Sequence, residues 1–186
     1  MPAEFGATPW GRAWLRTIES PAATRPNPAL PRARSLARND AVTLTIATGL
    51  VHAEVTTSGA TNRVRLDIPR WPDRSMAEAD RLVAEALADH RSLALGDLPD
   101  DLEARLRRHE IDVAVPLDEL SADCDCRTRR RFCAHVMATV YVLTQRIDER
   151  PALAIELRSA RTSLVGPSDP DWISLSDLDV ATFYGG

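Results

Sequence analysis

Between residues 42 and 68, apolar and polar side chains alternate in three successive runs. Val42, Leu44 and Ile46 are interleaved with Thr43 and Thr45. Val51, Ala53 and Val55 follow a turn at Thr48-Gly49, and Val64, Leu66 and Ile68 follow the stretch Ser58-Gly59-Ala60-Thr61-Asn62. A period of two sends successive side chains to opposite faces of a strand, so the pattern predicts a small antiparallel three-stranded meander, wet on one face and covered by helices on the other. The period then changes. Met76, Ala79, Leu82, Val83, Ala86, Leu87 and His90 share one helical face within residues 75–91, with Asp73 or Ser75 as cap, and this face is expected to cover the sheet. A shorter helix is predicted over residues 99–109. Pro99 opens it, Asp100, Asp101 and Glu103 lie in its first turn, and Arg105, Arg107 and Arg108 lie in its last, as the helix dipole favours. Ile111, Val113 and Val115 alternate ahead of Pro116 and read as a short strand. Val136, Val140, Leu143 and Ile147 mark one face of a helix from Ala134 to Ile147. Asp148 is positioned to cap a further short helix with Pro151 in its first turn.

The two ends follow other patterns. Trp10, Trp14 and Ile18 stand four residues apart and predict a short helix docked on the core, a reading preferred over an aromatic platform for bases. Pro21, Pro26, Pro28 and Pro31 predict an extended connector, along which Arg25, Arg32, Arg34 and Arg38 are either solvated or laid against a phosphate backbone. From Arg161 onward the chain turns acidic, with Asp169, Asp171, Asp177 and Asp179 and no further base, and it predicts an acidic loop anchored by residues such as Trp172 and Phe183. The expected division is an aromatic helix and Pro/Arg-rich arm over 1–38, a sheet-and-helix core over 39–115, a metal module with its following helix over 116–160, and an acidic tail over 161–186. The fold class is α+β.

Composition narrows the functions. A chain of 186 residues, 44% hydrophobic, can bury a core of ordinary size, and a formal charge of −4 excludes a globally basic nucleic-acid binder. All 23 basic residues are arginine. The sequence shows neither a charged-then-apolar leader nor a long apolar run, so a cytoplasmic protein without membrane contact is expected.

The chemistry is concentrated in Cys124-Asp125-Cys126-Arg127-Thr128-Arg129-Arg130-Arg131-Phe132-Cys133-Ala134-His135, which holds every cysteine of the chain. Three thiolates and a neutral imidazole are the donors that a tetrahedral zinc ion prefers, so Cys124, Cys126, Cys133 and His135 are the candidate ligands of a closed structural Zn2+ site. In an extended segment Cys124 and Cys126 face the same side, while Cys133 and His135 fall at the start of the predicted helix, where the dipole favours thiolate. Arg127, Arg129, Arg130 and Arg131 lie between them and can neutralise an anionic centre or contact phosphate. Three other readings of the thiols stand beside this one: a disulfide, which leaves one cysteine over; inert buried thiols; and a redox-active pair. No glycine-rich phosphate loop, nucleophile elbow or H-E-x-x-H helix is present, and four donors leave no open position on a metal, so no enzymatic activity is expected.

The C-x-C, spacer, C-x-H order followed by an apolar helix resembles the SWIM zinc finger over about residues 121–147. Phe5-Gly6, Trp10-Gly11-Arg12-Ala13-Trp14 and Arg34-Ser35-Leu36-Ala37-Arg38 resemble the head of bacterial SWIM proteins. The resemblance implies a strand-strand-helix module, binding to DNA or other proteins, and association with a Swi/Snf-type helicase. Pro9, Leu36 and Ala134 depart from residues common in that family. The function expected is therefore a zinc-binding module for DNA, RNA or protein interaction, with a pure protein adaptor and a thiol redox sensor as alternatives.

Overall fold

A computed structural model describes residues 5–19, 27–90, 93–128 and 130–159. Within them the order is α1 (Pro9–Ile18), α2 (Leu30–Arg38), β1 (Val42–Ala47), β2 (Leu50–Thr57), β3 (Ala60–Asp67), α3 (Asp73–Asp89), α4 (Asp100–Arg108), β4 (Ser121–Cys124), α5 (Ala134–Glu149) and α6 (Ala152–Arg158). The fold is α+β, with one antiparallel sheet in the order β1-β2-β3-β4. The three alternating runs form its first three strands. Their apolar positions Val42, Val51, Ala53, Val55, Val64 and Leu66 are buried, and Thr43, Thr45, His52, Glu54, Arg63 and Arg65 are exposed on the other face. Gly49, at φ 71°, supplies the left-handed residue that the tight turn between β1 and β2 needs. The fourth strand comes from the cysteine-bearing segment, pairing Cys124 with Val64 and Ala122 with Leu66. The strand partner of the cysteine-bearing segment is thus β3 of the meander.

The helix laid on the sheet is α5, which packs against all four strands and against α1 and α2. Enclosure on every side explains why Val136 through Thr144 are all buried, including Thr139 and Thr144, whose hydroxyls donate to the His135 and Val140 carbonyls. The expectation that the helix after the meander covers the sheet is corrected: α3 packs chiefly on α4, since its buried set of Ala79, Leu82, Val83 and Ala86 is a narrow stripe. Residues 111–115 are irregular, where a strand was expected. Ile111, Val113, Ala114 and Val115 are all buried, but the segment pairs with no strand of the sheet.

At the N-terminal end Trp10 and Trp14 are fully buried and Ile18 nearly so, which makes α1 a core helix and removes the aromatic platform. The expected extended arm is corrected in part. Residues 21–26 lie outside the described residues, but Pro31 sits in the first turn of α2, and Ala33 and Ala37 are buried where α2 packs along α5. Arg34 is held within the fold, paired with Glu19 and set over the Tyr141 ring at 5.6 Å, while the Tyr141 hydroxyl also donates to Glu19. Asp148 does not cap a following helix. It belongs to α5, and its carboxylate accepts from the Gly6 amide at 2.7 Å and from the Thr8 amide and hydroxyl, each at 2.8 Å. Thr8 in turn caps α1 by accepting from the Gly11 amide. The acidic tail lies outside the described residues. Among the described residues no helix is long and apolar enough to cross a membrane.

Candidate metal centre

The centre forms where the end of β4 meets the start of α5. Alternation along the sheet places Ala122 and Cys124 on the face that α5 covers and leaves Ser121 and Asp123 exposed. Cys126 follows two residues later in a bend, on the same side. Cys133 is the N-cap of α5, with extended backbone, and its carbonyl accepts the Met137 amide at 3.0 Å. His135 lies in the first turn. The unpaired amides of that turn put the positive end of the helix dipole beside the sulfurs.

One atom from each of Cys124, Cys126, Cys133 and His135 lies within 4.8 Å of all the others, so the group can hold a metal ion. Cys124 Sγ and His135 Nδ1 are 3.8 Å apart. Cys133 is 4% exposed and the other donors are half-buried, which places the centre just beneath the surface. Burial pushes the Cys124 thiol up to about 12 in the metal-free protein. Burial also works against the Cys126 thiolate, but hydrogen bonds from the Thr128 amide and from the thiols of Cys124 and Cys133 hold it below the usual cysteine range. For His135, burial and then the positive charge of Arg32 depress the imidazole, keeping it in the neutral form that ligates.

A supporting shell surrounds the donors, and the cysteine pattern alone did not point to it. Asp125, between two candidate ligands, turns its carboxylate to β3. It accepts from the Arg63 amide at 2.9 Å and from Asn62 Nδ2 at 3.1 Å, while its own amide donates to the Arg63 carbonyl. A single acidic residue between two cysteines is the sequence signal, because it must face away from the metal. Asp125→Ala is expected to leave the four donors in place but loosen the spacing of Cys124 and Cys126, weakening metal affinity roughly tenfold or more; competition with a chromophoric chelator measures it. Arg32, exposed on α2, is near enough for its charge to act on the His135 imidazole, from a segment whose sequence reads only as a basic arm.

The candidate contact arginines divide. Arg127 and Arg130 are exposed, and among the described residues neither forms a hydrogen bond or ion pair. Arg131 is engaged in the fold: its guanidinium donates to the Leu120 carbonyl at 2.8 Å and the Asp118 carbonyl at 3.3 Å, and it lies over the Phe132 ring at 5.0 Å. It holds the loop before α5 against the segment before β4. Arg129 lies outside the described residues. The other histidines take no part: His52, His90 and His109 are exposed, and His109 pairs with Glu78 at 2.9 Å.

No family model matches the chain, and no solved structure matches it at a significant level. A curated relative, the uncharacterized protein Rv2102 of Mycobacterium tuberculosis, is 33% identical over 131 residues, which cover 66% of this chain. The match spans 45% of that protein, less than half its length.

Proposed function

We propose that the chain is a zinc-dependent interaction module of the SWIM type, which contacts nucleic acid, protein or both and performs no chemistry of its own. The observation that carries this reading is the convergence of three sulfurs and an imidazole nitrogen within 4.8 Å. Thiolate and imidazole donors suit zinc and do not suit the hard cations that take oxygen ligands. With Zn–S about 2.3 Å and Zn–N about 2.0–2.1 Å, tetrahedral donors stand roughly 3.5–3.8 Å apart. The 3.8 Å between Cys124 Sγ and His135 Nδ1 is close to that cage, and donors within 4.8 Å of one another would draw in slightly around an ion. Cys124, Cys126, Cys133 and His135 would fill every position, so the ion would tie β4 to α5 and leave no place for a reacting water. Reduced thiols of this kind suit a cytoplasmic setting.

Exposed Arg127 and Arg130, with Arg32 nearby, support contact with phosphate. The SWIM resemblance supports work beside a helicase-like ATPase. Titration against random duplex and single-stranded DNA at several salt concentrations tests the choice. If both arginines touch phosphate, Arg127→Ala with Arg130→Ala weakens binding uniformly across sequences and lowers the salt slope by roughly two. Weak binding unaffected by these changes assigns the module to a protein partner. A redox sensor is favoured by the mutual proximity of the three thiols. It requires metal-free cysteines that cycle, which thiol counting with and without chelator detects.

A further inference from the structure

The two edges of the sheet are unlike. At β4 the Asp125 amide bonds the Arg63 carbonyl, which turns the backbone groups of Asp123 and Ser121 toward β3 and those of Leu120, Ala122 and Cys124 outward. That edge is guarded. β4 has 4 residues and bears Asp123, Arg131 occupies the outward Leu120 carbonyl at 2.8 Å, and the cysteine–histidine cluster lies at its end.

β1 has no such protection. The Thr56 amide donates to the Ala41 carbonyl at 2.8 Å, so in this register Thr43, Thr45 and Ala47 bond β2 and the backbone groups of Val42, Leu44 and Ile46 point outward. Among the described residues these outward groups have no hydrogen-bond partner. The strand reads Val-Thr-Leu-Thr-Ile-Ala, without the charge, proline or bulge by which exposed edges are normally blunted. Beside it opens a cleft of about 420 Å³ lined by Ile46, Ala47, Leu153 and Leu157, with the pairs Arg146–Glu149 and Arg150–Glu156 at its polar side.

We propose that β1 pairs antiparallel with β1 of a second copy of this chain, across a two-fold axis at Leu44, joining the two sheets into one. The strand is self-complementary. The outward groups of Leu44 meet those of the second copy's Leu44, and Val42 meets the second copy's Ile46. On the core side this sets β-branched residues opposite each other and places the second copy's Val42 beside the Ile46 end of the cleft. On the wet side Thr43 stands opposite the second copy's Thr45, and both kinds of cross-strand pair are favourable. The strand carries no charge, so nothing opposes its own copy and nothing selects a charged foreign strand. The pairing is independent of what the cysteine centre holds.

Sedimentation equilibrium of the full chain, reduced so that thiols cannot cross-link copies, tests the pairing. A concentration-dependent dimer is expected. Thr43→Lys with Thr45→Lys sets lysine against lysine at both wet-side pairs, and Thr43→Glu with Thr45→Glu sets glutamate against glutamate. Each raises the dimer dissociation constant about tenfold, while mixing the two proteins restores association through lysine–glutamate pairs. Both threonines are exposed, so circular dichroism of either variant should match the parent. A parent chain that stays monomeric to millimolar concentration overturns the proposal, leaving the edge to a foreign strand, as does a dimer that neither charged variant weakens.

Discussion

Replacement of Cys133 by serine is expected to abolish tight metal retention and to release the segment from β4 to the first turn of α5 while the meander stays folded. Cys133 is the buried member of the donor set, and it also ends the loop that turns the chain from β4 into α5. Structural zinc contributes about 10–16 kcal/mol of apparent binding energy in zinc-finger peptides, far more than a loop of this length can replace by its own contacts. The damage should nevertheless be local. Most of α5 is gripped by the sheet, α1 and α2 whether or not a metal is present. Hydrogen exchange should therefore show early loss of protection over residues 121–135 and little change in β2 and β3, with bound metal falling from one per chain to well below it. Chelation of the unmodified protein should give the same pattern. Full metal content and unchanged protection in the serine variant would mean that the cysteine cluster is not what binds.

The largest effects away from the cysteines are expected where Gly11 packs on Asp148. A Cβ on Gly11 would overlap the Asp148 carboxylate at Oδ1 and Cγ. The carboxylate cannot retreat without giving up its bonds to Gly6 and Thr8, so Gly11→Ala should cost about 2–4 kcal/mol even though alanine is the better helix former. Asp148→Ala removes a charged acceptor from three donors at once and should cost about 3–5 kcal/mol. The two changes should not add. With the carboxylate gone the methyl group has room, so the double variant should be more stable than the sum of the singles by about 2 kcal/mol, measured by urea unfolding. Simple additivity would show that the clash at Gly11 is relieved elsewhere.

These residues also mark how far the sequence could be read. The meander was legible because one face is wet, so burial appears as alternation. The helix that covers it is hidden from such patterns, because amphipathic periodicity identifies a helix that faces water on one side. From Val136 to Thr144 α5 faces protein on every side, and the spacing of Val136, Val140, Leu143 and Ile147 shows only part of its contact. The donor set was legible because thiols and imidazole are scarce and their spacing is chemical. Its support was not: Asp125 and Arg32 act through β3 and α2, and only the folded register brings them to the centre. α2 leaves little trace in the sequence because its buried residues, Ala33 and Ala37, are small and sit among arginines. Gly11 and Asp148 are too far apart in the chain for any local pattern to connect them.

Both special ends belong to one helix: the cysteine and imidazole donors flank the first turn of α5, and the carboxylate that latches α1 sits in its last. At a rise of 1.5 Å per residue the two lie about 20 Å apart on a single stiff rod. The sheet, α1 and α2 grip the rod between its tips, so freeing the metal-side tip should leave the Gly6 and Thr8 amides on Asp148. The two anchorages would then fail separately, one with the ion and the other with the carboxylate.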